Sequence, residues 1–464
     1  MSSALPSYDE AAALVSAYAA QLREVQLLKA RSREAGEPVG RERVGLGRAA
    51  GRVLAQTVVA DSDQPPFARS TRDGFACRAA EASRHEWLDV AGATRAGGAP
   101  GGSLPAGAAW EIMTGAAVPA EADAVAMIEH VEQAGFEQTD LKQTGLEQTG
   151  RRVRLRSGRN ISAGENIVAQ GAQARAGDAL LPAGTAITFA QIALLASCGY
   201  GVFEVYARPR VAVLATGDEL VAVDAVPGPG QIRNSNAPML AAMVDAAGGE
   251  PWILPAAADT PEALDRALAA AARADLLLIS GGVSAGKFDL VEPALERMGA
   301  RFHFTGVRIQ PGKPLVFGDL PRGGELPRRL DADRQAVREP GSLPFFGLPG
   351  NPVSSAVTFL LFAAPVLATL GGSLQAPPRF ALARLKKETD RRNKPGLTRF
   401  LPAACTFSGA TGSSGIADQV PEVDLVPWQG SGDLAALARS NCFLVVPEET
   451  SSLAAGETVR ILLP

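Results

Sequence analysis

The 464-residue chain has few of the residues that cross-link small folds or bind transition metals. Its four cysteines lie far apart, and its three histidines match no zinc-ligand spacing. These scarcities argue against a disulfide framework and against a structural zinc site. Any chemistry that the chain performs must therefore come from other residue types.

Long runs of one charge sign and long apolar runs are also lacking. The net charge is −4, with lysine and arginine scattered among the acids, which argues against a general nucleic-acid binder. The first residues, MSSALPSYDE, lack the positive and apolar regions of a secretion signal, and we find no apolar stretch of membrane-spanning length. The sequence therefore predicts a soluble, cytoplasmic protein that binds neither nucleic acid nor a membrane.

The length predicts two to four domains, and the first half of the chain indicates two of them. The pattern from Tyr8 to Arg31 predicts a helix with Ser7 as its N-cap. Residues 62–154 are rich in glycine, alanine and short β-type runs, which predicts an inserted β-rich domain. Residues 155–207 alternate short strands with turns, and we expect them to pack with the N-terminal helix. One domain, residues 1–61 and 155–207, would then be split around the insert.

The second half of the chain changes to alternating strands and helices. Residues 208–374 contain strand patterns such as VAVLAT and LLLIS, separated by helices that begin near Asn236, Thr260 and Asp289. We assign Asn236 as the cap of its helix. This alternation predicts a three-layer domain around a parallel sheet. Residues 375–464 alternate apolar and polar residues between turns, as in a small β-barrel.

Candidate ligand-binding loops follow the predicted strands, because parallel sheets bind ligands at the carboxyl ends of their strands. The loop SGGVSAGKFD is the most suggestive, since glycines let backbone N–H groups approach a phosphate. Two further loops, VRIQPGKP and GLPGNPVSS, combine glycines with prolines that fix the backbone shape, which favours a rigid phosphate cradle. The candidate binding residues in these loops are Gly281, Gly282, Ser284, Gly286, Pro311, Gly312, Lys313, Pro349, Gly350, Asn351 and Pro352.

Three acids, Glu219, Asp259 and Asp289, would converge on the same edge of the sheet. Each one alone reads better as a helix cap or a solvated surface acid. As a set beside a phosphate cradle they favour a Mg²⁺ site, since Mg²⁺ takes oxygen ligands and bridges to substrate phosphates. In the insert, Asp73 in STRDGFA and Thr114 in IMTGA read on spacing alone as turn residues.

These motifs together resemble one known family. TGDEL, SGGVSAGKFD, PGKP and GLPGNPVS, with DGFA and IMTGA in the insert, are similar in sequence and order to the molybdopterin molybdenumtransferases, which include the E domain of gephyrin. The resemblance covers essentially the whole chain. It is therefore far more specific than any single glycine loop.

The resemblance implies a four-domain homodimer with a split linker domain, a β-rich insert, an α/β domain similar to the molybdopterin adenylyltransferases, and a C-terminal β-barrel. It implies an enzyme that takes adenylylated molybdopterin and molybdate, releases AMP with Mg²⁺, and leaves molybdenum on the dithiolene. The partners that it implies are molybdopterin adenylyltransferase and the chaperones of molybdoenzymes.

The resemblance also implies roles for particular residues. It places five residues in an active-site cleft between the α/β domain of one subunit and the insert of the other: Asp73, Thr114, Glu219, Asp259 and Asp289. It places Ser431 near the molybdate, although the residues alone make Ser431 only a loop serine.

Several positions depart from the family pattern. Gly306 and Gln310 stand where many members have lysine, Pro402 where an arginine is common, and Asn166 where an acid is frequent. Arg308, Arg399 and Lys313 are nearby cations that would replace the lost charge, and Arg308 is counted among the binding residues. These losses keep open the alternative of a paralogue that binds the cofactor as a carrier or scaffold without inserting metal. An enzyme that prefers tungstate is a further alternative, because tungstate is so similar to molybdate in size and charge that the sequence does not discriminate them.

Overall fold

The computed structural model describes residues 5–31, 40–98, 102–135, 150–282, 290–321, 342–374, 378–389, 396–406 and 420–464. The chain divides into two compact units. The first comprises Met1–Ala55, Gly184–Thr188 and Val202–Pro464, and the second comprises Gln56–Ala183 and Phe189–Gly201. The boundaries of the four domains expected from the sequence stay predictions.

The helices in chain order are α1 (Tyr8–Arg31), α2 (Ala79–Ala82), α3 (Phe189–Ser197), α4 (Asn236–Ala246), α5 (Pro261–Ala271), α6 (Val291–Arg297), α7 (Pro352–Thr358), α8 (Ala364–Leu370) and α9 (Leu434–Arg439). A π-helical segment, Phe359–Ala363, joins α7 to α8. The bounds of α1 match the sequence prediction, while the helix expected from Asp289 to Met298 is observed as α6.

The strands in chain order are β1 (Arg41–Gly45), β2 (Val58–Val59), β3 (Arg69–Ser70), β4 (Gly74–Cys77), β5 (Leu88–Thr94), β6 (Ala108–Ile112), β7 (Ala124–Met127), β8 (Val131–Ala134), β9 (Arg152–Leu155), β10 (Ile167–Val168), β11 (Ala179–Leu181), β12 (Val202–Tyr206), β13 (Arg210–Ala215), β14 (Leu220–Val221), β15 (Ile232–Arg233), β16 (Glu250–Ile253), β17 (Leu276–Ser280), β18 (Arg301–Phe304), β19 (Ile309–Gln310), β20 (Val316–Leu320), β21 (Leu343–Leu348), β22 (Phe380–Leu385), β23 (Thr398–Thr406), β24 (Glu422–Leu425), β25 (Cys442–Val446) and β26 (Thr458–Leu462).

The α/β part of the first unit is built on a sheet with the strand order β16-β13-β17-β21-β20-β18. The strands β16, β13, β17 and β21 run parallel, as the sequence predicts, while β20 and β18 run antiparallel to their neighbours. The carboxyl ends of β13, β17 and β21 therefore meet at one edge.

Helices cover both faces of this sheet and make three layers. One face packs Val211, Leu278 and Phe346 against α1, α4 and the α7–α8 run. The other face packs Leu214 and Ile279 against α5 and α6. Every residue of β17 is buried, which its apolar sequence LLLIS requires of a central parallel strand.

Helix α1 begins at a capping box. The Glu10 N–H donates to Ser7 Oγ at 3.2 Å, and the Ser7 N–H donates to Glu10 Oε2 at 2.7 Å. The buried face of α1, with Tyr8, Val15 and Tyr18, belongs to the core of the α/β sheet. The sequence expectation that residues 155–207 cover this helix therefore needs correction, because an apolar stripe shows that a helix packs but not on what.

The helical run Pro352–Leu370 is long and apolar enough to cross a membrane by length and composition, with a mean hydropathy of 2.0. The expectation that no apolar stretch reaches membrane-spanning length is therefore wrong for this run. In the structure 78% of this window is buried, and its side chains lie in the α/β core. The run is thus accounted for as the core helix of a globular domain.

The second unit contains a sheet with the order β7-β4-β6-β5-β9-β8, and its core includes Phe75, Leu88 and Val153. This arrangement agrees with the predicted β-rich insert. In the first unit, strands β23, β24, β22, β26 and β25 pair in a ring that closes through β25 and β23, with β19 added at one side. The predicted C-terminal β-barrel is therefore confirmed.

Candidate functional site

Three loops leave the α/β sheet side by side at its carboxyl edge. The Thr216 N–H donates to the Ser280 carbonyl at 3.1 Å, and the Gly281 N–H donates to the Leu348 carbonyl at 3.2 Å. These bonds tie together the loops after β13, β17 and β21. The structure thus gathers the TGDEL, SGG and LPGN segments at one place, as the sequence predicts for a parallel sheet.

The glycines of the second loop are required by this close approach. Gly281 has φ +94°, and a Cβ there would lie 2.8 Å from the Thr216 carbonyl oxygen. Gly282 has φ +64°, and a Cβ there would lie 2.5 Å from Val291 Cγ2 and 2.8 Å from Thr216 Oγ1. No side chain fits at either position without moving its neighbours. The predicted residues Ser284, Gly286 and Asp289 lie outside the described residues.

The third loop connects the α/β sheet to the barrel part of the same unit. Asn351 Nδ2 donates to Ser431 Oγ at 2.9 Å, and the Val353 N–H donates to the Ser431 carbonyl at 3.1 Å. Pro349 is held by α7, because its carbonyl accepts a hydrogen bond from Ser355 Oγ. Pro352 is the first residue of α7, where its missing N–H costs nothing. Ser431, which the residues alone left as a loop serine, thus contacts a predicted binding loop.

The acids at this edge form a negatively charged group. The Asp259 N–H donates to Asp218 Oδ1 at 3.0 Å. The Glu219 carboxylate folds back over Gly217, where an added Cβ would clash with Glu219 Oε2. Loss of hydration raises the pKa of the Asp259 carboxyl, and the negative charges of Asp218 and Glu219 raise it further. The site therefore carries an excess of negative charge that a bound cation would relieve.

These carboxylates fit a Mg²⁺ ion of the kind that keeps most of its coordination for water and phosphate. Such an ion needs only one or two protein carboxylates beside the substrate oxygens. Within the described ranges, no group of three or more His, Cys, Asp and Glu side chains is arranged to hold a metal by itself. The predicted set of Glu219, Asp259 and Asp289 is tested no further, because Asp289 falls outside those ranges.

Two residues of this edge were missed or given another role in the sequence analysis. Asp218 lies in the TGDEL motif, yet only Glu219 was selected, although adjacent acids in a strand-end loop were a visible signal. Asn236, assigned as a helix cap, instead donates from Nδ2 to Ser280 Oγ at 2.8 Å and to the Gly350 carbonyl at 2.6 Å. The cap bond is made by Asn234 Oδ1, which accepts from the Ala237 N–H at 3.1 Å.

Among the residues that the structure describes, two buried polar atoms at the same edge have no hydrogen-bond partner. They are Thr216 Oγ1 and Asn236 Oδ1, on residues that are 4% and 9% exposed. Unsatisfied buried polar atoms are rare in native proteins, so each one needs a physical explanation such as a bound ligand, ion or water.

The three cations predicted near the PGKP loop, Arg308, Lys313 and Arg399, differ in burial and in their partners. Arg308 forms an ion pair with Glu448, from its Nη2 to Oε1 at 3.3 Å, and Lys313 is exposed. Arg399 is buried, and its Nε donates to Gln310 Oε1 at 3.2 Å. Its burial lowers the pKa of the guanidinium. Pro311 and Gly312 are buried, and a Cβ on Gly312 would lie 2.6 Å from Thr358 Cγ2, so this loop packs on the end of α7.

The two predicted site residues of the insert contact each other. The Thr114 N–H and the Thr114 hydroxyl donate to Asp73 Oδ1 at 2.6 and 2.8 Å. The backbone bond, followed by the hydroxyl bond, holds the pKa of the Asp73 carboxyl below its ordinary value. Asp73 is therefore an exposed, ionised carboxylate that is fixed in place. This geometry suits a turn and a ligand contact equally.

Models of protein families match most of the chain in consecutive segments. Residues 7–199 match the MoeA N-terminal region (domains I and II), residues 212–369 match a probable molybdopterin binding domain, and residues 384–463 match the MoeA C-terminal region (domain IV). These segments follow the order that the motifs indicated.

Curated relatives match over nearly the full length. Proteins named molybdopterin molybdenumtransferase from Nostoc sp. and Haemophilus influenzae are 33% and 32% identical, each over 91% of this chain and over 88% and 94% of their own length. The solved structure of the molybdopterin biosynthesis moeA protein from Pyrococcus horikoshii OT3 is 26% identical, with a TM-score of 0.70, and covers 99% of this chain and 100% of that one. Sequence and fold thus point to the same relatives.

Proposed function

The chain belongs to the molybdopterin molybdenumtransferase family, and we propose on this premise that it transfers molybdenum to molybdopterin. The observation that carries the proposal is the carboxyl edge of the α/β sheet. There Asp218, Glu219 and Asp259 stand beside the glycine turn at Gly281 and Gly282. The relatives are named as transferases, so they support the enzyme and not the non-inserting carrier.

The proposed substrates are adenylylated molybdopterin and molybdate, with AMP as the released product. Both substrates are anions that contain phosphate or oxyanion groups, and the LPGN loop offers rigid backbone beside the glycine turn. The PGKP loop is proposed to contribute a second stretch of rigid backbone. Bound Mg²⁺ would neutralise charge on the pyrophosphate during its cleavage. Glu219 and Asp259 are proposed to hold the ion, together with Asp289. Asp218 is proposed to orient Asp259 through the backbone bond.

Cations that compensate for the family lysines are part of the proposal. Gln310 stands in place of one lysine, and Arg399 donates a hydrogen bond to it, so a positive charge remains beside that position. Lys313 is exposed at the adjacent loop. Arg308 contributes less, because its guanidinium already pairs with Glu448.

The proposed assembly is a homodimer in which each active site takes residues from both subunits. The fixed Asp73–Thr114 pair lies in the second compact unit, while Asp218, Glu219 and Asp259 lie in the first. Each group is proposed to supply only part of the site for a pterin pyrophosphate. A second copy of the chain would complete it, as the family resemblance implies.

The proposed compartment is the cytoplasm, where thiols stay reduced. All four cysteines are buried and unpaired, and burial raises the pKa of Cys77 and Cys442 to about 12. Molybdopterin adenylyltransferase and molybdoenzyme chaperones are the proposed partners before and after this step.

The experiment that tests the function is an AMP-release assay. Purified protein with adenylylated molybdopterin and Mg²⁺ should release AMP when molybdate is added. Tight binding of molybdopterin without molybdate-dependent AMP release would instead identify a carrier. Competition between molybdate and tungstate in the same assay shows which oxyanion the protein prefers. The two ions are so similar in size and charge that the residues of the site do not distinguish them.

A further inference from the structure

Asn236 connects three elements at the candidate site. It opens α4, and its side-chain amide reaches across to the last residue of β17, Ser280, and to the turn after β21 at Gly350. The residue is buried, and both amide hydrogens are used in these two bonds. Its contacts lie 44 and 114 residues away in the sequence.

The orientation of this amide is fixed by its surroundings. The reversed orientation would place Oδ1 against the Gly350 carbonyl oxygen, two acceptors with no hydrogen between them. The observed orientation leaves Oδ1 buried with no donor from the described residues, which costs stability. The Asn236 amide thus forms both bonds from Nδ2, while its Oδ1 accepts none from the described residues.

Helix capping does not explain the residue. The first turn of α4 is capped from Asn234, whose Oδ1 accepts the Ala237 N–H, and by the Ser235 carbonyl, which accepts the Met239 N–H. The oxygen of Asn236 accepts none of these hydrogens. What its amide does is hold Ser280, next to the Gly281–Gly282 turn, at a fixed spacing from Gly350, next to Asn351.

We propose that Asn236 is a positioning residue of the active site, which sets the distance between the Gly281–Gly282 turn and the Pro349–Asn351 turn to suit a pterin pyrophosphate. The proposal rests on the proposed function, because the substrate class comes from there. Asn236 acts through the backbone of the two turns and makes no contact with the substrate. Its loss should therefore weaken substrate binding more than it slows the chemical step.

The test compares Asn236→Ala with Asn234→Ala, a matched control two residues away. Asn236→Ala removes both hydrogen bonds, so it should raise KM for adenylylated molybdopterin and the Kd for molybdopterin at least about tenfold, with a smaller change in kcat. Asn234→Ala removes the true cap, so it should lower the melting temperature and leave KM unchanged. Equal KM changes in both variants, or a wild-type KM and Kd in Asn236→Ala, would overturn the proposal.

Two further variants, Ser280→Ala and the double variant with Asn236→Ala, keep the proposal testable if Asn236→Ala alone misfolds. Ser280→Ala removes one acceptor and keeps the bond to Gly350, so it should raise KM less than Asn236→Ala. In the double variant the two effects should not add, because both remove the same bond. Additive effects would contradict a shared role.

Hydrogen exchange gives a readout that does not depend on activity. The Gly281 N–H, bonded to the Leu348 carbonyl, should exchange faster in Asn236→Ala than in Asn234→Ala. A wild-type protein that releases no AMP would reject the proposed function. Unchanged exchange at Gly281 would reject the role of Asn236, whether or not the wild-type protein is active.

Discussion

At the residue scale, the candidate site combines groups that are individually unfavourable in the folded protein. The Asp259 carboxyl has a raised pKa because it loses hydration and faces Asp218 and Glu219. Thr216 buries a hydroxyl that has no hydrogen-bond partner in the described part of the chain. A site that binds a charged ligand commonly trades stability in this way, because the same groups become satisfied when the ligand is present.

Asp259→Asn should separate stability from activity. A carboxyl whose pKa is raised on folding contributes stability below its unfolded pKa, and that contribution is lost as the pH rises through the folded value. The amide stays neutral, so at pH 7 the variant should melt at or above the wild-type temperature. AMP release should fall about 10- to 100-fold, because a charged ligand contact is lost.

The matched control for Asp259→Asn is Asp275→Asn at the opposite, amino end of β13. Asp275 Oδ2 accepts the Arg210 N–H at 2.8 Å, and the whole length of β17 separates Asp275 from the turn at Gly281. This variant should keep full AMP release. Normal AMP release in Asp259→Asn would show that the site is misplaced.

Thr216→Val should stabilise the protein. Valine keeps the shape of threonine and removes a buried hydroxyl that bonds to none of the described residues, a change worth about 1 kcal/mol. The melting temperature measured by calorimetry should therefore rise. A fall of the melting temperature would mean that the hydroxyl is satisfied, for instance by an ordered water.

At the element scale, α1 is held to the sheet by one buried polar network as well as by apolar contacts. Asp319 Oδ1 accepts from Tyr18 Oη at 2.5 Å and from Ser342 Oγ at 3.1 Å, and Asp319 Oδ2 lies 2.9 Å from His303 Nε2. The Tyr18, His303 and Phe317 rings pack edge to face or tilted around it. The network lies away from the proposed active site and explains why a long N-terminal helix is anchored in the α/β core.

Asp319→Asn should loosen this helix. Replacing the carboxylate by an amide removes charge-assisted acceptance and turns an N–H₂ group toward donors, at a cost of about 2–4 kcal/mol. The melting temperature should fall, and hydrogen exchange of α1 should accelerate. Asp265→Asn, which breaks an exposed pair with Arg297, should cost under about 1 kcal/mol. Equal effects of the two variants would contradict a structural role for the network.

The sequence predicted local elements better than their partners. The capping box at Ser7 and the run LLLIS encode the bounds of α1 and β17 through local chemistry, so both could be read directly. The surface that α1 covers, and the use of the Asn236 amide across 114 residues, depend on tertiary packing that no local pattern records. Tertiary structure also explains why the sequence led to Glu219 and not to Asp218. The two acids are adjacent, and only the folded turn determines where each side chain points.

At the scale of the whole molecule, the chain carries its two groups of candidate site residues in separate compact units. The order of the family segments was readable from motifs, because each motif is contiguous. That the motifs of two chains assemble into one complete site stays a prediction.

Mixing two inactive variants tests the proposed dimer. Co-expressed Asp73→Ala and Asp259→Ala chains should recover about a quarter of wild-type AMP release, because half of the dimers are mixed and each mixed dimer has one intact site. If each site is built within one chain, the mixture stays inactive. Either chain alone should remain inactive under both arrangements.

The central claim is that this chain is a working molybdenumtransferase despite Gly306, Gln310 and Pro402. The most direct test is AMP release from adenylylated molybdopterin, with Mg²⁺, in the presence and absence of molybdate. The account predicts molybdate-dependent release by the wild-type chain and a sharp loss on Arg399→Ala, which removes the cation beside Gln310. No release under conditions in which a relative such as the Nostoc enzyme is active would contradict it.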